Sequence, residues 1–298
     1  TTDATLDLSQ VELEIHNWTQ SATTIRVAYL PPHAHFVVGA EASSGDNGGY
    51  TPDAVFPNWP PLQSTYGNIT LRRRSNAAVI DTIQWDGSWN HAAGAALTLS
   101  PAAPEAQRPT LNDDGAHWCH SRYTALTGGD FGTPGAPNDH CLPTWCALET
   151  LDATLFPYDT WSPVIGQVLE ADLTDSAGGS GFITVEVGYG GSGTVPEETW
   201  TWEPAVYVDE GTGADRYSGA LTITVFHDVD VAARTSLDGC LSYLYCDTSG
   251  AAADGSASYD PTDSGRLIPS VLPVAGIRTS DFHTCAIWDN NSLWCWGY

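Results

Sequence analysis

Histidine and cysteine crowd into one stretch of this chain, where His117, Cys119, His120, His140 and Cys141 supply imidazole and thiol groups dense enough to suit zinc or copper. His33 and His35 flank Ala34 at strand spacing, so both rings could face one side, as metal ligands require. Thiolates bind metal only when reduced, however, and Cys119 with Cys141 is also a candidate disulfide. Structural roles are therefore assigned to both groups, and no metal or other cofactor is expected. Asp113-Asp114 and Glu197-Glu198 are adjacent carboxylates of the kind acid/base chemistry uses, but neighbours in a loop normally point apart into solvent. Ser180 and Ser192 lie in Gly-rich turns that lack the G-x-S-x-G spacing. H-E-x-x-H, P-loop, G-x-G-x-x-G and complete calcium-loop patterns do not occur. No catalytic residue is assigned, and the chain is read as non-enzymatic.

The 12 tryptophans are the remaining chemical signal. Most are expected in the core: Trp200 and Trp202 share one face of a strand, and Trp85 and Trp89 bracket a turn. The functional alternative is sugar recognition, in which an exposed ring stacks on the apolar face of a carbohydrate while acids and amides bind its hydroxyls. Trp59 and Tyr66, in a long polar loop, are the candidates for that role. Sequons at Asn17, Asn68 and Asn290 permit glycosylation in a host that performs it.

The 298 residues include no Lys and no Met, and 36 acidic against 10 basic residues give a formal charge of −26. Such a surface repels nucleic acid and anionic membranes, whose binding needs Lys/Arg patches. The one basic cluster, Arg72-Arg73-Arg74, reads as a solvated strand end. No apolar run reaches the length of a membrane span, and Thr1 opens no charged-then-hydrophobic leader, so neither span nor signal peptide is expected. Seven cysteines point to an oxidising compartment, hence an extracellular or cell-surface location.

These groups must be positioned by strands. Val11, Leu13 and Ile15 alternate with Glu12, Glu14 and His16, the period of a half-buried strand. Further strands are expected at residues 36–38, 69–72, 79–85, 183–187, 199–202 and 221–225, with a Gly/Pro/Asn-rich loop over roughly residues 42–66. Near the end, strands at 284–288 and 293–297 flank an Asp289–Ser292 turn and place Cys285 opposite Cys295, close enough for a cross-strand disulfide. A lone hairpin cannot bury its three tryptophans, so further strands must cover it. Glycine and proline between short alternating runs make the fold all-β, with length for two ordinary domains.

Three segments carry family resemblances. LPPHAHFVVG (30–39), NITLRRRSNAAVIDTIQWDG (68–87) and FGTPGAPN (131–138) make residues 1–139 resemble a bacterial lamin-tail domain, which implies a non-catalytic immunoglobulin-like β-sandwich. That family opens with a strand of the type W-[IV]-E-L-x-N, whereas this chain begins at the following segment, LDLSQVEL (6–13). A sheet lacking that strand exposes an edge to which another chain can add. Residues 140–261 resemble immunoglobulin-like accessory modules of secreted bacterial proteins, through GFITVEVGYG, WTW and SLDGCLSYLYCD (236–247). Residues 262–298 are read as a linker followed by a hairpin resembling the opening of an RCC1-type repeat, HTCAL…VWCWG.

Cys240 stands where the accessory-module pattern usually has Gly, which makes it the odd cysteine, free or paired to another chain. The remaining pairs are then Cys119–Cys141, Cys146–Cys246 and Cys285–Cys295. Spacing alone does not decide connectivity, and Cys141–Cys146 is the main rival. The resulting expectation is two tandem immunoglobulin-like sandwiches plus a disulfide-linked hairpin. Its function is read as that of an extracellular structural or adhesive protein, a fibre subunit joined by strand complementation. Its partners are other copies of itself or neighbouring modules of a longer chain, with no nucleic acid and no membrane insertion. The alternatives are a carbohydrate-binding accessory module, with glycans as partner, and a fragment of a secreted hydrolase.

Overall fold

The structure, a computed structural model, describes residues 7–16, 21–23, 30–32, 34–56, 62–149, 151–155, 160–171, 173–175, 177–196, 199–225, 227–253, 255–269, 274–279, 283–288 and 293–297. The fold is all-β, as composition and alternation require. The Val11/Leu13/Ile15 pattern forms β1 (Val11–His16), which pairs antiparallel with β2 (Ser21–Thr23). Two short strands, β3 (Val38–Gly39) and β4 (Ala54–Val55), run parallel beside this sheet in sequence. The other side of β1 is taken by β5 (Tyr66–Arg73), and β6 (Val79–Asp86) pairs with β5, giving the order β2-β1-β5-β6, so β1 is an inner strand and the open edge expected beside it is occupied by β2. Ile15 is fully buried opposite Ile69, while Glu14 on the same strand accepts from Arg72 Nε at 2.5 Å. Gly67 is required by its cross-strand partner: a Cβ there would lie 2.2 Å from the Trp85 indole.

A hairpin-like ladder follows, β7 (Leu97–Leu99) against β8 (Trp118–His120), with the short helix α1 (Arg108–Leu111) and 3-10 turns at Glu105–Gln107 and Gly115–His117 between them. Residues 42–50 of the expected long loop are partly ordered by turn hydrogen bonds, and Thr127 N donates to Gly48 O at 2.7 Å.

The second half opens with β9 (Trp145–Leu148), β10 (Asp152–Leu155), β11 (Thr160–Leu169), β12 (Thr184–Gly191) and β13 (Thr201–Glu210). It continues through β14 (Asp215–Thr222), β15 (Val229–Ser236), β16 (Leu244–Cys246), β17 (Ala251–Ala252) and β18 (Gly265–Pro269). Neighbours run β10-β18-β15-β12-β13-β14-β11-β9-β17, with β16 beside β15. The path folds at β13: Thr201–Ala205 pair with β12, and Val206–Glu210 pair with β14. Two layers result. Leu148, Val164 and Leu221 from one meet Val187, Val229, Val231 and Leu267 from the other in a single core. Cys146–Cys246 links β9 to β16. At Gly219 the layers come so close that a Cβ would lie 2.3 Å from Val187.

Residues 262–282, expected as a linker, hold two strands instead. Leu267 of β18 is fully buried in the core just described, so the sheet extends beyond residue 261. β19 (Val274–Thr279) pairs with β20 (His283–Trp288), which pairs with β21 (Leu293–Gly297). A third strand thus joins the hairpin edge to edge. No helix among the described residues is long and apolar enough to cross a membrane.

Candidate functional site

Cys119–Cys141 and Cys146–Cys246 are both formed, and the rival Cys141–Cys146 pair is not. Cys295 is disulfide-bonded, and Cys285 stands opposite it in register. Cys240 is free and exposed. Its φ is +70°, the left-handed region that favours glycine. The histidine group serves packing. His117 Nδ1 lies 3.0 Å from Asp238 O, His120 Nε2 2.9 Å from Asn90 O, and His140 packs at a tilt against Tyr123, 4.2 Å between centroids. Among the described residues no three His, Cys, Asp or Glu side chains converge as a ligand set. His33, Trp59, Glu197 and Glu198 lie outside the described residues. Tyr66 starts β5 and is 39% exposed, so the proposed Trp59/Tyr66 pair is represented by one member.

The joint between the halves is built around buried groups. Cys119 and Cys141 pack with Val168, Ile183, Val185, Tyr217 and Leu237 of the second half. Arg122 bonds Ala171 O at 3.2 Å and lies 3.5 Å from Glu170. The Asp238 carboxylate, fully buried, accepts on Oδ1 from Ser236 Oγ, Leu241 N and Ser242 N, at 2.7, 3.0 and 3.0 Å. On Oδ2 it accepts from Ser242 Oγ at 2.6 Å and, across the joint, from Ser100 Oγ at 2.7 Å. A buried carboxylate is stable only when so surrounded by donors.

Beside this joint lies a cleft of about 520 Å³, lined by Ser88, Trp89 and Asp113–Ala116 on one wall and by Gly181, Phe182, Thr184 and Gly239 on the other. The Trp89 ring is fixed. It packs on Trp118 at 5.6 Å between centroids, and Gly115 admits it, since a Cβ there would lie 2.8 Å from the indole. The Asp113-Asp114 pair divides its roles. Asp114 Oδ1 accepts from Ala116 N at 2.9 Å, while burial and then the neighbouring Asp81 charge push the Asp113 carboxyl above its ordinary pKa. Sequence reasoning placed Trp89 at a turn and gave Asp113-Asp114 no purpose; the residues that complete the cleft are remote in sequence and carried no signal.

Among the strand segments left open in the described residues, two carry pairs of large exposed apolar side chains. β6 pairs with β5 alone among the described residues, and Val79 and Ile80 at its start are 53% and 47% exposed. Arg73 and Arg74, both exposed, sit beside them across the turn. In β13, residues 206–210 pair with β14 on one side and with no strand on the other among the described residues. Val206 and Val208 there are 69% and 49% exposed, next to the exposed acid Glu210 and to Asp209, which is ion-paired with Arg216 at 2.9 Å.

A third feature is an aromatic row on the second half. Arg234 lies 4.3 Å from the Trp202 centroid and 3.8 Å from that of Tyr243, with Glu186 Oε2 2.7 Å from its Nε. Trp200 stacks on Trp202 at 5.9 Å, on one face as their spacing required. Cation–π contacts and the ion pair hold this face of the sheet together.

The fold and these surfaces define an all-β, disulfide-linked protein with inter-strand edges and a joint cleft as its exposed features. In comparison with known proteins, no family model matches the chain, and no curated protein matches it.

Proposed function

We propose that this chain is a non-enzymatic extracellular structural or adhesive protein whose copies join through strand edges. The observation that carries this reading is the pair of open segments just described. One is apolar with cations beside it, at Val79-Ile80 and Arg73-Arg74; the other is apolar with acids beside it, at Val206–Glu210. Each offers unpaired backbone groups to a second copy, and their charges are complementary. Because the two segments differ, the contact is head to tail, and a head-to-tail contact that does not close gives a filament. In this reading residues 1–139 are a lamin-tail-like module, residues from 140 through β18 an accessory module of immunoglobulin type, and the strands β19–β21 the start of an RCC1-type repeat. The disulfides support an oxidising, extracellular setting.

The test is electron microscopy and light scattering of unreduced protein over a range of concentrations. Concentration-dependent assemblies are expected, and Ile80→Lys or Val206→Lys is expected to weaken them, since each places a charge on an edge. A parent protein that stays monomeric when concentrated, or assemblies indifferent to both substitutions, would overturn the proposal.

A further inference from the structure

We propose that the cleft at the joint binds an uncharged oligosaccharide. This site is separate from the strand edges and does not depend on their role. Its volume, about 520 Å³, lies within the roughly 300–1,000 Å³ of small-ligand sites. Its lining combines the two chemistries a sugar needs. Trp89 and Phe182, from opposite walls, supply aromatic surface for the apolar C–H face of a pyranose. Asp113, Asp114 and Ser88 supply acceptors for its hydroxyl groups.

The same lining argues for an uncharged ligand. Among the described residues no Arg or His lines the cleft, His117 reaching only Asp114 Oδ2 at 4.0 Å, while two carboxylates do in a chain of formal charge −26, so uronic, sialylated or sulfated glycans are disfavoured. The cleft is also preformed. Trp89 is held between Trp118 and Gly115, and the walls are tied by Ser100 to Asp238 and by His117 to Asp238 O. A rigid aromatic in a tied cleft loses little entropy on binding, which favours affinity from few contacts.

The experiment starts with an array of neutral glucan, galactan, mannan, xylan and chitin oligosaccharides, followed by calorimetry on the strongest sugar at protein concentrations below any self-assembly. At least one sugar is expected to bind, with about a tenfold or greater loss of affinity in Trp89→Ala and in Ala116→Tyr. Ala116→Tyr fills the cleft from an exposed position and leaves Trp89 in place, so it decides the matter if Trp89→Ala does not fold. Val195→Ala, at an exposed position in the turn after β12, should bind as the parent does. An array without a binder, a sugar whose affinity survives Ala116→Tyr, or binding of oligolysine or spermine in place of every sugar would overturn the proposal. Because edge variants such as Ile80→Lys leave the cleft untouched, failure of sugar binding and failure of assembly are separately visible.

Discussion

Removing the Asp238 carboxylate should be among the most damaging single changes in the joint, and the size of the effect follows from its partners. Five donors converge on it: three hydroxyls, from Ser100, Ser236 and Ser242, and two amides, from Leu241 and Ser242. In Asp238→Ala the hydroxyls can rotate to other acceptors. The two amides cannot, because the backbone fixes their direction. Each buried donor left unpaired costs about 1–3 kcal/mol, so a total near 3–5 kcal/mol is expected. Asp238→Asn should cost far less, about 1–2 kcal/mol, through loss of charge-assisted strength alone. Its carbonyl oxygen can take the Oδ1 side, which serves both amides, and its NH2 can donate to the Ser100 and Ser242 hydroxyls, which also accept. Ser100→Ala removes one bond across the joint and should cost about 1 kcal/mol. Urea unfolding in non-reducing buffer, followed by tryptophan fluorescence, measures all three. If Asp238→Asn proves as costly as Asp238→Ala, charge rather than donor direction holds the joint. If Asp238→Ala costs under about 1 kcal/mol, water replaces the carboxylate and the network has no structural role.

Four further outcomes are expected. Cys240→Gly should stabilise the protein by about 1 kcal/mol in the same urea assay, since a non-glycine residue at φ +70° carries a left-handed penalty; it should also abolish any reducible dimer on non-reducing gels. Replacing Cys146 and Cys246 by Ser should cost about 2–5 kcal/mol, because that disulfide closes a loop with a sequence separation of 100 and restricts the unfolded chain strongly. Asp215 is fully buried, neither of its oxygens has a hydrogen-bond partner among the described residues, and burial, followed by the Glu210 charge, raises its pKa from 3.8. A raised carboxyl favours the folded state when protonated and costs stability as pH rises above 3.8, so the gain from Asp215→Asn should be larger at pH 7 than at pH 3. Glu149 shows the opposite sign: the Arg216 hydrogen bond holds its pKa below 4.5, giving stability that is present above 4.5 and lost as pH falls through the folded value. Acid titration of stability should therefore be shallower below pH 4.5 in Glu149→Gln than in the parent.

Alternation made β1 and β6 legible, and the turn residues between 288 and 293 made the last hairpin legible, because strand period and turn chemistry are local properties. The cysteine at 240 was legible as an anomaly, through the glycine expected there, although its left-handed backbone became visible only in the fold. β18 was missed for a physical reason. Its few residues, between a polar stretch and Pro269, show little period of their own, and Leu267 becomes core by pairing beside β15. The candidate site was hidden more completely. Trp89, Asp113 and Phe182 lie on separate segments, and a cleft forms among them only because the Cys119–Cys141 disulfide and Asp238 bring one half against the other.

What the sequence determined by itself was therefore the β class, the strands with clean alternation, the net acidity, and a cysteine pattern whose described bonds formed as expected. What the tertiary structure decided was which layer each strand joined, how β13 passes from one layer to the other, and which remote side chains face one another across the joint. Those outcomes depend on burial and pairing between residues far apart in the chain, and no local period encodes them.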